Sequence, residues 1–175
     1  MKYCFVLFIL IFLSACEYFN PNHSLEVELK KRIGSHLILP LEESKLDKKL
    51  AICSYINGEC PSCIDKLFKW REWGKLIDEK VDFIFYFYSI DTVKYNYISK
   101  ELEPFCCKII YDSDDLFIKR NDLPKDNAVF QTFLIDKNGC VILVGNPLYN
   151  SKLSQLYMQE INKLLKNNDM QIPNQ

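Results

Sequence analysis

Leu50-Ala51-Ile52-Cys53-Ser54-Tyr55-Ile56-Asn57-Gly58-Glu59-Cys60-Pro61-Ser62-Cys63-Ile64-Asp65-Lys66-Leu67 joins a short apolar run to a Cys-x-x-Cys and then to a helical pattern. Residues 50–56 read as a buried strand. Ile64, Leu67, Phe68, Trp70, Trp73, Leu76 and Ile77 recur at the spacing of one helix face. The cysteine pair therefore falls at a strand-to-helix junction. Gly58 supplies the turn, Cys60 takes the N-cap position, and Pro61 takes the first helical position, where a missing N–H costs nothing.

That placement has a chemical consequence. Unpaired N–H groups and the positive end of the helix dipole favour a thiolate at a helix N-terminus. Cys60 is the expected nucleophile. Cys63, one turn further in and more shielded, is placed to resolve a mixed disulfide formed at Cys60. A static disulfide and half of a zinc site are the other readings of the pair. Zinc needs a second ligand pair, and the two histidines, His23 and His36, both precede the motif without pairing.

Met1 and Lys2 lead into the apolar run Tyr3 to Leu13 and then small residues, the layout of a secretory signal peptide over residues 1–15. The run is shorter than the roughly 20 apolar residues that span a bilayer. Leu13-Ser14-Ala15-Cys16 resembles the lipobox of bacterial lipoproteins. The resemblance implies cleavage before Cys16, lipid on its sulfur and a membrane held through that anchor. Glu17 in the next position implies, by the same resemblance, the outer membrane over the inner. Which leaflet carries the anchor stays open, with a periplasm-facing domain the expectation. Residues 16–24 are polar and aperiodic, a tether for a single domain over 25–175.

Composition agrees with one folded domain: 49% apolar and 14% aromatic residues. Lys and Arg number 22 against 23 Asp and Glu, so nothing basic offers itself to nucleic acid. Without Cys4 and Cys16, six cysteines remain, in a compartment where disulfides persist. Cys106 and Cys107, adjacent in an expected strand, read as buried free thiols, with a bridge from one of them to Cys53 left open. Cys140, after a turn, reads as exposed enough to react.

The remaining expected elements follow from pattern. Residues 25–33 form a short helix ending near Gly34, and His36 to Leu39 a strand. Val81 to Ile90, dense in aromatic and β-branched residues, is an interior strand covered on both faces. Asp91 or Thr92 caps a helix through Leu102, broken by Pro104, and Cys106 to Tyr111 is a further strand. Asp112 to Asp115 suits helix capping better than calcium, since the other ligands of a binding loop are missing. Residues 127–136 and 140–144 flank Asn138-Gly139, a hairpin signal, and Asn150 or Ser151 caps a last helix with Leu153, Leu156, Tyr157, Ile161, Leu164 and Leu165 on one face.

In this order, the strand, Cys60-Pro61-Ser62-Cys63 and helix, the strand from Phe83 to Tyr88, and the hairpin Thr132 to Gly139 resemble a thioredoxin-like domain. More narrowly, residues 34–166 resemble the membrane-tethered thiol–disulfide oxidoreductases of bacterial cell envelopes. The resemblance implies an α/β fold: a central mixed β-sheet flanked by helices, with a C-terminal β-hairpin plus helix. It implies an attacking Cys60 and a resolving Cys63, protein clients carrying thiols or disulfides, a membrane thiol relay as electron source, a reductant's role and no cofactor. Phe130 and Gln131 fall where the family's cis-proline loop binds substrate. Gln131 holds the proline's place, and a cis bond to a non-proline residue costs about 2.5–4 kcal/mol, so a trans loop is expected. Glu59, where the family has an aromatic, opposes thiolate formation if its charge lies close. No acidic residue in 50–56 can serve as the buried proton acceptor of thioredoxins. A non-catalytic scaffold holding a metal or a partner protein is the alternative function.

Overall fold

The computed structural model describes residues 21–40, 42–77, 79–103 and 105–169. The expected signal peptide, the lipid site Cys16, most of the tether, Pro104 and the tail beyond Asp169 lie outside the described residues. The chain divides into two units between Arg32 and Ile33. In the first, helix α1 (Pro21–Arg32) begins four residues ahead of the expected Leu25. Its own side chains support it, Glu26 with Lys30 and Glu28 with Arg32, each at 2.7 Å and four residues apart.

The second unit is built on five strands: β1 (Leu50–Asn57), β2 (Asp82–Tyr88), β3 (Lys108–Tyr111), β4 (Thr132–Asp136) and β5 (Val141–Val144). Their spatial order is β3-β2-β1-β4-β5. The β1–β2 and β2–β3 pairs are parallel, and the β1–β4 and β4–β5 pairs are antiparallel. The parallel crossovers carry helices α2 (Pro61–Gly74) and α3 (Thr92–Leu102), while α4 (Leu116–Arg120) follows β3 and α5 (Ser151–Asp169) ends the described chain. Among the described residues no helix is long and apolar enough to cross a membrane.

Both faces of the sheet are covered, which is why β1 and β2 are apolar almost throughout. On one face Ile52, Phe83, Phe85 and Leu134 pack with Trp70 of α2 and Tyr157 of α5. Trp70 is fully buried, with Phe83 and Phe85 each 6.0 Å away between ring centroids. On the other face Tyr86 stacks on Phe117 of α4 at 4.2 Å, and Phe117 meets Phe133 edge-on. Caps expected from sequence form: Asp91 accepts from the Val93 N–H, Asn150 from the Leu153 N–H, and Asp112 from the N–H groups of both Leu116 and Phe117. The hairpin closes with Gly139 at φ +84, a conformation a side chain would strain.

Four expectations are corrected. His36 to Leu39 is no strand; only His36 makes a β-bridge, to Cys140. The Asn121 amide takes up both backbone groups of Ile38, accepting from its N–H and donating to its C=O, and so replaces a neighbouring strand. The strand expected over 127–136 begins only at Thr132, because the Asn127 side chain accepts from the Val129 N–H and coils 128–131 into a 3-10 turn. Cys106 and Cys107 precede β3, and Cys106 is exposed rather than buried. On the last helix Leu156 faces solvent, as does Leu76 beyond the end of α2.

Candidate active site

The turn between β1 and α2 is fastened at each residue. The Gly58 N–H donates to the Tyr88 carbonyl at 2.7 Å, and a Cβ at Gly58 would lie 2.5 Å from the Phe87 ring and 2.6 Å from the Tyr88 oxygen. Glycine is needed here for close approach. The Asn57 side chain accepts from the Glu59 N–H, and the Cys60 N–H donates to the Asn57 carbonyl. The Glu59 carboxylate accepts from the Ser89 hydroxyl at 2.7 Å and the Ile90 N–H at 3.2 Å, and it pairs with Lys94 of α3 at 3.0 Å. Lys94 also donates to the Gly58 carbonyl. The Ser89 hydroxyl, and then Lys94, hold the Glu59 carboxyl below the usual carboxylate range. The expected conflict between Glu59 and a thiolate is therefore met by an ion pair that balances the charge.

Cys60 occupies the N-cap with extended backbone, φ −109 and ψ 109, and Pro61 the first helical position. The Cys60 carbonyl accepts from the Cys63 and Ile64 N–H groups at 2.9 and 3.2 Å. The two thiols lie close together, and Cys60 Sγ lies 3.1 Å from Ser62 Oγ. They shift in opposite directions. The Cys63 thiol, then the Ser62 hydroxyl, the Cys63 backbone N–H and the Lys66 charge pull Cys60 below the ordinary thiol range against some desolvation. Burial first, and then the hydrogen bond to Cys60, pushes Cys63 above it.

Behind Cys63 lies a small cleft of about 60 Å³, whose lining includes Ser54, Cys63, Lys66, Gln131, Thr132 and Tyr149. Ser54 of β1 and Thr132 of β4 share a buried hydrogen bond at 2.8 Å, filling the back of the site with neutral hydroxyls. The two residues expected to bind substrate part company. Gln131 borders the cleft on an all-trans loop, its amide donating to the Lys125 carbonyl, whereas the Phe130 side chain is buried in the interior. Sequence reading missed Lys66, Ser89, Lys94 and Tyr149. Lys66 had a signal, its i+3 spacing from Cys63; the others meet the turn only through the fold.

The other described cysteines are free thiols. Burial pushes Cys53 far above the ordinary range and Cys107 up to about 12. The Cys140 thiol points to the Gly34 carbonyl, 3.6 Å away. Among the described residues no three His, Cys, Asp or Glu side chains converge so as to hold a metal ion.

No family model and no curated protein matches the sequence. Solved structures do. The C-terminal domain of an uncharacterized protein from Bacteroides fragilis aligns with TM-score 0.53 and 17% identity, covering 73% of this chain and 97% of that one. The thioredoxin domain of a thiol–disulfide oxidoreductase from Bacteroides vulgatus aligns with TM-score 0.51 and 10% identity, over 71% of this chain and 96% of that one. A thiol:disulfide interchange protein from a Bacteroides species aligns with TM-score 0.51 and 12% identity, over 66% and 74%. With the mixed five-stranded sheet and the helix opened by Cys60, these matches make the fold of this chain thioredoxin-like.

Proposed function

We propose that this protein is a thiol–disulfide oxidoreductase working through Cys60 and Cys63, anchored by lipid on Cys16 at the cell envelope and facing the periplasm, with the outer membrane favoured. The observation that carries the reading is a thiol pair at one helix N-terminus, Cys60 at the N-cap drawn below the ordinary thiol range and Cys63 one turn in pushed above it. A thiol made acidic by position attacks; a shielded one with a raised pKa stays protonated until the mixed disulfide is in place. Gln131 at the rim of the cleft supports a binding edge for the client chain. By resemblance the protein reduces particular exported proteins and draws electrons from a membrane thiol relay.

The test is the equilibrium potential of the Cys60–Cys63 pair, read by thiol trapping in graded redox buffers. A reversible couple between about −270 and about −120 mV supports exchange and gives its direction. A pair with no reversible couple in that range sinks the reading. Cys63→Ser then identifies clients, which accumulate as mixed disulfides on Cys60.

A further inference from the structure

We infer that Lys66 supplies, as a fixed cation, the charge stabilisation that Cys63 needs to resolve the mixed disulfide, in a cleft that holds no carboxylate. The inference rests on the exchange reading above.

Lys66 is half-buried, lies one helical turn beyond Cys63 and lines the same cleft. Other lysines around the site are engaged: Lys69 reaches the Tyr149 hydroxyl, Lys94 pairs with Glu59, and Lys125 pairs with Asp115. Among the described residues Lys66 has no carboxylate or hydrogen-bond partner, which leaves its charge for the two sulfurs. That charge favours the thiolate of both Cys60 and Cys63.

The remaining titratable groups around the pair are accounted for. Glu59 in the turn is balanced by Lys94 of α3, and Asp65 of α2 is exposed. Tyr55 of β1 donates its hydroxyl to Asp115. Tyr149, beyond the sheet, is held over Lys69. Ser54, Thr132 and Gln131 carry no charge.

The step balances as follows. The Cys60 thiolate attacks a client disulfide, and one client sulfur leaves and takes a proton from water. Cys63 then loses its proton to water through the cleft and attacks Cys60 Sγ. The Cys60–client bond breaks as the Cys60–Cys63 bond forms, and the second client sulfur leaves and is protonated. Two electrons pass from the protein dithiol to the client disulfide, and a dithiol donor restores the pair. The costly moment is an anion forming on Cys63, a group that burial disfavours charging. A cation lining the same cleft offsets that cost.

The experiment compares Lys66→Met, which keeps the stem and loses the charge, with Lys66→Arg, which keeps the charge, in the full chain. One readout is the pH dependence of thiolate ultraviolet absorbance, referenced to Cys60→Ser. The other is the pH dependence of the rate at which a preformed mixed disulfide of Cys60 with thionitrobenzoate releases its thiol. The Met variant should move both profiles to higher pH and slow release about tenfold or more at neutral pH, with Arg close to the parent. Profiles unchanged in Met, or displaced equally in Met and Arg, overturn the role of the charge. Absence of a reversible couple in the parent protein would sink the exchange reading instead, and the thiolate titration reads Lys66 independently of it.

Discussion

The chain carries two pairs of neighbouring cysteines, at opposite ends of the same sheet. Cys60 and Cys63 follow the C-terminal end of β1, whereas Cys106 and Cys107 precede the N-terminal end of β3, which runs parallel to it through β2. At the first pair a fourteen-residue helix begins, with Pro61 in its first position and the charge of Lys66 one turn beyond Cys63. At the second the Cys107 N–H closes a tight turn onto the Phe105 carbonyl and a strand follows. The thiols respond accordingly: Cys60 falls, whereas Cys107 rises to about 12 through burial beside Cys106. Two sulfurs close in sequence do not make a reactive site; a helix turn that brings a second thiol, the Ser62 hydroxyl and, least of all, the Lys66 charge to the first one does.

The largest expected effect breaks the first pair. Cys60→Ser should abolish exchange altogether, and Cys63→Ser should retain the first attack and stall as a mixed disulfide, both read by gel-shift trapping with a model disulfide. A Cys63→Ser protein that turns over like the parent would overturn the division of labour.

Next in size is Gly58→Ala. The added carbon would lie within 2.6 Å of both a ring and a backbone oxygen, and the oxygen cannot rotate away. We expect a loss of about 1–3 kcal/mol, with a melting midpoint lower by roughly 2–4 °C for each kcal/mol. Exchange should slow as well, because the strained turn is the one that sets Cys60 on the helix end.

Glu59 and Lys94 give a smaller effect with a definite sign. Lys94→Met leaves the Glu59 charge unbalanced beside Cys60, so thiolate formation should move to higher pH and exchange slow by no more than about fivefold, the reach of one exposed pair. Adding Glu59→Gln to that variant should restore the parental profile. The folded Glu59 carboxyl lies below its unfolded value, so its contribution to stability is present above the ordinary carboxylate range and is lost as pH falls through the folded value. A parent protein whose denaturation midpoint in acid matches that of Glu59→Gln would refute this.

These sizes reflect what was legible in the sequence. The strand–Cys60–helix unit, the Asn138-Gly139 hairpin and the Asp91 and Asp112 caps are written in residues a few positions apart, and local chemistry decides them. The ion pair at Glu59 joins residues 35 apart, and the Asn121 amide that displaces a strand at Ile38 reaches across 83. No periodicity reports such a partner. Phe130 shows the same limit from another side: an aromatic beside the cleft by sequence is carried inward by the 3-10 turn that Asn127 caps, leaving Gln131 at the rim.

The smallest expected effect lies at the second pair. Cys106 is exposed but has no helix end behind it, and Cys107, whose thiol burial pushes up to about 12, holds almost no thiolate at neutral pH. Cys106→Ser and Cys107→Ser should therefore leave both the potential of the Cys60–Cys63 couple and the rate of exchange unchanged. The half-buried Cys107 packs against the core, so its replacement should lower the melting midpoint slightly more than that of Cys106. If instead the Cys106→Ser protein shifted the measured potential, electrons would be passing between the two ends of the sheet, and the contrast between the pairs would fail at its reactive premise. Mass spectrometry after brief alkylation at neutral pH gives a direct check, since Cys60 should be labelled well ahead of Cys107.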